Sequence, residues 1–569
     1  MKYKDEILAA YKRVGYSPIG DQLEYIDKII CAYLVEKKTK IILSAPTGTG
    51  KSIIGAVVAD VLHELEKESA YPCDTASFIL MGTNVLAAQY SDTFQDKKDF
   101  ILVKGAGNYP CEVLSNSNIS ETAESCCETD FKNSKDTDLQ QIVAKYCGNC
   151  EFACIKKQKH YAKHVITNFS YFFIDRLYTL RHERRTLTIW DEAHTLNDAF
   201  AEHCAVFVSE KRLLGFGEEL GEHLSKMDLE AAKTFKKLRT AIKDKTINEK
   251  NYLPLMEELR NAYSSVKEIA ALEAKSLMST ELAKYSKLQK LSKKYGDLAC
   301  KISDLLIYKY EHIFEFNEKE KEISIKPIFV GNMFDQLVNS KYQLFMSATL
   351  SEELLVSTLG LDPNEIKFIK LPSSFPIENK KVVFLGIEKL NYTTMKDPKV
   401  INKLSKACLK LIQRHEGENG IILTPSFDVT ESISKMLIEN DVKLFQHERG
   451  MPLAPLLAAF KKNKTPAVLI SPSMFEGISL DDEMSRFQVF VKTPYASLGS
   501  KRVKYIADNY SEMYTLATIL KLVQGAGRSV RHKDDSAVTY MLDANISWVF
   551  KSKQNIWQDE FLMSFQMLM

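Results

Sequence analysis

The first strongly patterned stretch of the chain is the apolar, β-branched run Ile41-Ile42-Leu43. It leads into Ser44-Ala45-Pro46-Thr47-Gly48-Thr49-Gly50-Lys51-Ser52, and an amphipathic stretch starts at Ile53. Apolar run, glycine-rich break and helical period predict a buried strand, a tight loop and a helix. An amphipathic helix is expected before it, over 23–34. The same order recurs downstream. Residues 77–84 predict a second buried strand ending in polar residues, with a helix over 85–90. Residues 164–168 predict a strand and Tyr171-Phe172-Phe173 the helix that follows, and 187–190 predict another strand. From 197 to about 323 the chain is rich in Lys, Glu, Leu and Ala at helical spacing, which predicts an insertion of several helices. Sheet signals return at 342–350 and again at 382–385, 420–424, 444–445, 467–470 and 487–492, with helical patterns between them. Alternating strands and helices predict an α/β protein whose parallel sheets carry helices on both faces.

Composition narrows this only a little. A chain of 569 residues is long enough for several domains, each with its own core. With 26% charged residues and a net charge of +2, it neither requires nor excludes nucleic acid, because a basic groove is readily offset by acidic faces. Residues 1–16 are charged, without the apolar core of a signal peptide, and no stretch approaches a membrane span. The expectation is an intracellular, cytoplasmic protein without membrane contact, nucleoid-associated if bacterial or viral. Six of the eleven cysteines, Cys111, Cys126, Cys127, Cys147, Cys150 and Cys154, fall in one polar interval. In a reducing compartment that points to metal or redox chemistry rather than disulfides.

The chemistry sits where predicted strands end. Gly48 and Gly50 let backbone N–H groups turn inward around phosphate oxygens, and the helix start adds a favourable field. Thr47, Gly48, Thr49, Gly50, Lys51 and Ser52 are thus the candidate nucleotide cradle. Lys51 would reach the β- and γ-phosphates, and Ser52 would hold Mg²⁺. The usual first glycine is Ala45, acceptable there if its φ is negative. Gln22 stands where nucleotide motors often place an adenine-reading glutamine, or is a plain helix-start residue. Thr83 or Asn84 suits a phosphate of a bound strand, or a helix cap. In Asp191-Glu192-Ala193-His194, Asp191 would hold Mg²⁺ and Glu192 would polarise the attacking water, while His194 would couple the nucleotide to a neighbouring domain. Ser347-Ala348-Thr349 offers two hydroxyls at a strand end, and 471–481 is dense in hydroxyls and carboxylates. In Gln524-Gly525-Ala526-Gly527-Arg528-Ser529-Val530-Arg531, the two arginines lie three apart and would share one helix face, aimed at a γ-phosphate. The pair Cys147-x-x-Cys150 suits Zn²⁺ or an iron–sulfur cluster, and ligand types alone leave both open.

Taken in order, these motifs resemble the XPD/DinG-like iron–sulfur helicases of superfamily 2. The resemblance rests on the loop at 45–52, the Asp-Glu-Ala-His box at 191–194, Ser347-Ala-Thr349, Phe375-Pro376 with Glu378-Asn379, 475–480 and 524–531, and on an insert opening at Asn108-Tyr109-Pro110-Cys111. It implies two RecA-like parallel-sheet domains, with an iron–sulfur cluster domain and a helical arch inserted in the first. The boundaries expected are 1–103, 164–198 and 326–372 for the first RecA-like domain, 104–163 for the cluster domain, 199–325 for the arch and 373–569 for the second RecA-like domain. It also implies ATP and Mg²⁺ between the RecA-like domains, with Lys51, Asp191, Glu192, Gln524, Arg528 and Arg531 as catalytic residues. The implied [4Fe–4S] ligands are Cys111, Cys126 or Cys127, Cys147 and Cys150, with Cys154 a bystander. The activity implied is 5′→3′ movement on single-stranded DNA and opening of forked duplexes, by a monomeric, stand-alone member without a nuclease domain. A translocase that displaces proteins or secondary structure, and an RNA helicase, are the alternatives.

Overall fold

The computed structural model describes the chain except residues 47, 67–74, 95–96, 112–121, 124–149, 179–184, 214–228, 278–281, 309–310, 339, 373–375, 473–479, 481, 531–533, 553–564 and 568–569. The described residues form two compact units. One comprises Met1–Ile42, Ser52–Met346 and Leu355–Phe368, the other Leu43–Lys51, Ser347–Leu354 and Ile369–Met569. Among the described residues no helix is long and apolar enough to cross a membrane.

The first sheet begins with β1 (Lys40–Ser44), β2 (Thr75–Met81), β3 (Phe100–Leu102), β4 (His164–Asn168) and β5 (Arg185–Asp191). Three strands, β6 (Val206–Ser209), β7 (His312–Asn317) and β8 (Glu322–Pro327), form a small sheet of their own before β9 (Ser340–Ser347) and β10 (Ile366–Lys370) rejoin the first. Its strand order is β10-β1-β9-β5-β2-β4-β3. Its pairs β5–β9, β2–β5, β2–β4 and β3–β4 are parallel. A strand buried on both faces needs apolar residues throughout, and β5 is buried from end to end. Trp190 of β5 is fully buried among Phe169, Phe172, Phe334 and Phe345, and its indole N–H donates to Gln343 Oε1 at 3.2 Å.

Parallel neighbours cannot be joined by a hairpin, so each adjacent pair needs a crossover. Two crossovers of this sheet are greatly enlarged. The one from β3 to β4 carries the cysteine-bearing excursion, which returns through the helix Glu151–Tyr161. The one from β5 to β9 carries the helices Leu229–Lys243, Tyr252–Leu277 and Leu282–Tyr308 together with the sheet β6-β8-β7. That sheet is a finding beyond the all-helical insertion expected for 197–323. It is antiparallel, and its residues Val206-Phe207-Val208 and His312-Ile313-Phe314-Glu315-Phe316 carry the β-branched and aromatic side chains that suit strands. The two long helices are tied by a hydrogen bond from Ser292 Oγ to the Lys267 carbonyl at 3.0 Å and by the Tyr263–Tyr295 ring contact at 5.7 Å.

The second sheet consists of β11 (Lys380–Glu388), β12 (Gly420–Leu423), β13 (Leu444–Gln446), β14 (Val468–Ser471), β15 (Phe487–Phe490), β16 (Ala537–Asp543) and β17 (Phe565–Met567). They lie in the order β13-β14-β12-β15-β16-β11-β17, all parallel. Alternate residues face opposite cores, as the strand period of two requires. Ile421, Leu423, Leu469 and Met541 enter one cluster; Ile422, Val468, Ile470 and Tyr540 enter the other. The helix Pro398–Arg414 covers the second cluster with Leu404, Cys408 and Leu411, spaced four and three apart on one face. Asp397 caps it by accepting from Lys399 N, and Pro398 occupies the first turn, where a missing N–H costs nothing.

The return of the cysteine excursion to the first sheet rests on one buried cation. Arg185, 1% exposed at the start of β5, donates to the carbonyls of Lys159 (2.7 Å), Ala162 (2.9 Å), Lys163 (3.2 Å) and Ser77 (3.3 Å). Its guanidinium lies 4.5 Å over the Phe78 ring. Three of those carbonyls belong to the end of the helix Glu151–Tyr161 and the turn after it, where backbone partial charge is negative. Lys159 adds an ion pair to Asp175 at 2.7 Å, and Lys163 pairs with the buried Asp60, which Arg13 also holds at 2.5 Å. Replacing Arg185 strips four carbonyls of a charged donor in a dry site. Arg185→Met is therefore expected to lower unfolding free energy by about 3 kcal/mol or more in urea titrations. Arg185→Lys is expected to recover little, because one ammonium cannot span the same fork.

Candidate active site

The loop after β1 has the backbone that its glycines were expected to provide. Gly48 and Gly50 take φ of 85° and 75°, the left-handed region that favours glycine, whereas Ala45 has no positive φ. The Ala45 N–H donates to the Ser347 carbonyl at 2.9 Å, so the loop base is held by the strand end that carries Ser347-Ala348-Thr349. Thr49 Oγ1 donates to the Pro46 carbonyl at 2.8 Å and closes the turn. Lys51 begins the helix Lys51–Glu66, and its ammonium folds back on the Ala45 carbonyl at 3.2 Å. Thr47 lies outside the described residues. Ser52 is the second residue of the helix, and its carbonyl accepts from Tyr90 Oη at 2.7 Å. Burial, reinforced by the Asp191 charge, pushes the Tyr90 phenol well above its ordinary pKa, so it stays a donor.

Gln22 is 5% exposed at the start of the helix Gln22–Leu34. Its Oε1 accepts from Tyr11 Oη at 2.8 Å and from Ile19 N at 3.0 Å, which fixes the plane of the amide. Nothing in the spacing of Tyr11 and Gln22 announced this contact; it arises from packing of the helix Lys4–Val14 on its successor.

At the end of β5, Asp191 is 8% exposed and accepts from the Glu192 N–H at 3.0 Å. Glu192 turns into the left-handed region at φ 53°, uncommon for a residue with a side chain. Its carboxylate lies 3.3 Å from His194 Nδ1. Three members of the box are thus placed as a unit by one bend. At the end of β2, Thr83 caps the helix Asn84–Thr93 by accepting from Leu86 N at 3.2 Å, and Asn84 Oδ1 accepts from Asn168 Nδ2 across β2 and β4. Sheet order places β9 between β1 and β5.

In the second unit, the helix Ser511–Ala526 ends before Arg528, and Gly527–Ser529 form a 3₁₀ turn. The α-helical face expected to carry Arg528 is therefore absent at that residue, and Gly525 and Gly527 lower helix propensity there. Gln488 Nε2 donates to the Ala526 carbonyl at 2.8 Å, and Ser485 and Ser529 share a hydrogen bond of 2.6 Å, so the turn is pinned to β15. Gln524 Oε1 is buried and has no hydrogen-bond partner among the described residues. The Arg528 side chain, Arg531 and 473–479 lie outside the described residues.

In the cysteine insert, Cys111 and Cys150 are buried, whereas Cys154 is half-buried. Pro110 bridges Thr122, the Ala123 N–H donates to the Tyr109 carbonyl at 2.8 Å, and the Tyr109 and Phe152 rings meet at 5.6 Å. Three segments that carry or flank predicted ligands are thereby brought together. Cys150 stands at the start of the helix Glu151–Tyr161, and its sulfur accepts from Ala153 N at 3.3 Å. Among the described residues no group of three or more metal-ligating side chains converges; Cys126, Cys127 and Cys147 lie outside them.

Sequence reasoning missed Tyr90, Arg185 and the strained Glu192 backbone, none of which has a spacing signature. No curated protein matches the chain by sequence. A family model described as "Helicase C-terminal domain" matches residues 408–560, and one described as "Type III restriction enzyme, res subunit" matches residues 16–217. Together they span more than half of the chain. A solved structure named "XPD_Helicase" is 17% identical, with 97% of this chain and 99% of that one covered and a TM-score of 0.62. The structure of S. tokodaii Xpd4 is 14% identical, with 96% and 100% covered and a TM-score of 0.59, and "XPD_APO" is 16% identical, with 96% and 100% covered and a TM-score of 0.56. At such identities the likeness is one of fold. Joined to the two family models, it shows an ATP-dependent helicase whose fold is that of the solved XPD structures.

Proposed function

We propose that this helicase moves 5′→3′ on single-stranded DNA and opens forked duplexes, with ATP hydrolysed between two RecA-like domains. The observation that carries the motor reading is the loop after β1, with two left-handed glycines and a lysine turned back onto the loop at the start of a helix. In this reading Gly48, Thr49, Gly50 and Lys51, with Thr47, hold the phosphates, Gln22 meets the base, and Ser52 with Asp191 holds Mg²⁺. Glu192 orients the attacking water, and Gln524, Arg528 and Arg531 face the transferring phosphoryl group. DNA as substrate and the polarity follow from the family resemblance. The domain reading is 1–103, 164–198 and 326–372 for the first motor domain and 373–569 for the second. The cluster domain at 104–163 and the arch at 199–325 then correspond to the two enlarged crossovers, the arch including its antiparallel sheet.

The cysteine insert fits a [4Fe–4S] cluster: two buried thiols, one at a helix start, and a backbone bridge that draws the 122–123 segment toward Cys111. Cys111, Cys126 or Cys127, Cys147 and Cys150 would hold it. When bound, the cluster would supply a four-thiolate crosslink that stabilises a segment otherwise poor in core. Tyr109 and Phe152 pack beside that site, and Arg185 anchors the far end of its helix.

Three outcomes are expected. Lys51→Ala and Glu192→Gln should each reduce DNA-stimulated ATP hydrolysis by at least about 10³-fold, with Glu192→Gln still binding ATP, measured by steady-state turnover and nucleotide titration. Near-normal turnover in either variant would end the motor reading. Anaerobically purified protein should be brown and contain iron and sulfide. Cys111→Ser or Cys150→Ser should remove the colour and strand separation but leave partial ATPase, while Cys154→Ser should change neither. Zinc without sulfide would overturn the cluster. Affinity for single-stranded DNA should fall steeply with salt and exceed that for blunt duplex, since backbone phosphates would supply most of it. Tighter binding to single-stranded RNA would favour the RNA reading instead.

A further inference from the structure

Thr195 occupies the N-cap position of the helix Leu196–Cys204, yet its side chain does not cap that helix. A threonine there ordinarily accepts a backbone N–H two or three residues on. Here its hydroxyl donates backward, to the Glu192 carbonyl at 3.0 Å, and its own N–H donates to the same carbonyl, also at 3.0 Å. Two donors from one residue therefore hold the peptide group after Glu192, whose orientation sets the ψ of 43° that accompanies its φ of 53° in the left-handed region. A glutamate held in the left-handed region is strained, and such strain persists only where neighbours fix it.

The same hydroxyl faces a second element. A Cβ built on Gly82 would meet Thr195 Oγ1 at 3.7 Å and nothing else within 4 Å. Gly82 lies between β2 and Thr83, the cap of the helix Asn84–Thr93, whose Asn84 is tied to Asn168 at the end of β4. The Thr195 hydroxyl thus stands between the exit of β2 and the carbonyl of the carboxylate loop. A shift of that exit, where a bound strand's phosphate is expected, changes the space around the group that fixes Glu192.

We infer that Thr195 is a positioning residue for ATP hydrolysis: it holds Glu192 in its strained turn and transmits the state of the β2 exit to it. The inference rests on the reading of Glu192 as the residue that orients water. His194, 3.3 Å from the Glu192 carboxylate, sets the side chain, whereas Thr195 sets the backbone beneath it. No substrate or metal contact is assigned to Thr195.

The test compares Thr195→Val, which keeps the shape and removes the hydroxyl, with Thr195→Ser, which keeps the hydroxyl. ATP hydrolysis is measured on the full chain with saturating single-stranded oligodeoxynucleotide. Thr195→Val should lower kcat about tenfold with the ATP KM within about twofold, and Thr195→Ser should stay within about threefold of the parent in kcat. A purely structural role would not separate the two variants in this way. Gly82→Val, which crowds the hydroxyl from the other side, gives an independent route should Thr195→Val not fold. It should also lower kcat, and in a double variant the two losses should not add. Unchanged kcat in Thr195→Val, equal loss in Thr195→Ser, a loss confined to KM, or additive losses would each overturn the inference. If the parent itself shows no strand-stimulated hydrolysis, the reading of Glu192 falls with it. If the parent is stimulated and Thr195→Val matches it, only the inference falls.

Discussion

A single guanidinium fixes how one of the two enlarged crossovers of the first sheet returns to it. β3 and β4 are parallel neighbours, and the chain between them leaves to build the cysteine insert before returning to pair in register. An open-ended excursion of that length has a large closure entropy, and its last helix would be loose unless its end were fixed. Arg185 fixes it by holding the carbonyls of Lys159, Ala162 and Lys163 against the Ser77 carbonyl of β2. Oriented backbone dipoles and the Phe78 ring beneath it stabilise the cation. The neighbouring His164 is buried beside Lys163 and Arg185, which pushes its pKa well below the ordinary imidazole value. It stays neutral and shares a hydrogen bond with Ser77 Oγ at 2.9 Å.

The same arrangement ties the foot of the insert to the helix that starts at Lys51. Asp60, in the helix that starts at Lys51, pairs with Lys163 at the foot of the insert and with Arg13 of the first helix. A carboxylate 2% exposed between two cations is not easily displaced, because removing either partner leaves charge buried. The helix behind the loop and the last turn of the insert therefore share one rigid footing. The β5 to β9 crossover is built on a different plan. Its long helices accompany an antiparallel sheet of their own, and side chains such as Tyr263, Tyr295 and Ser292 hold them to each other.

Much of this was legible in the sequence, for a physical reason. Strands of a parallel sheet are buried on both faces, so they appear as apolar or mostly apolar runs such as Ile41-Ile42-Leu43 and Leu187-Thr188-Ile189-Trp190. Loops that bind phosphate need glycine at fixed places, and Gly48 and Gly50 are where the backbone turns left-handed. What stayed hidden depends on long-range packing. Arg185 looked like an ordinary charge before a strand, because the carbonyls that need it lie 22 to 108 residues away. The small sheet of Val206–Ser209, His312–Asn317 and Glu322–Pro327 was masked by the helical composition between its strands. The spacing of Arg528 and Arg531 suggested one helix face, but the backbone leaves the helix at Ala526, where Gln488 captures its carbonyl.

The two strand ends proposed to carry the nucleotide chemistry are shaped in opposite ways. In the loop after β1, glycine makes the left-handed turns without steric cost, and the Lys51 ammonium rests on the Ala45 carbonyl. An anionic phosphate oxygen is a stronger partner for an ammonium than a neutral carbonyl is, so in the proposed site a phosphate would compete with that contact. After β5 the left-handed residue is Glu192, which cannot be glycine if it is to carry a carboxylate, and the strain is of order 1–3 kcal/mol. The surroundings must supply that energy, and they do so through the Asp191 carboxylate on the Glu192 N–H and the Thr195 donors on its carbonyl. One loop is thus shaped by what its residues lack and the other by what its neighbours impose. The second is the more sensitive to its surroundings, because a displaced neighbour releases the turn.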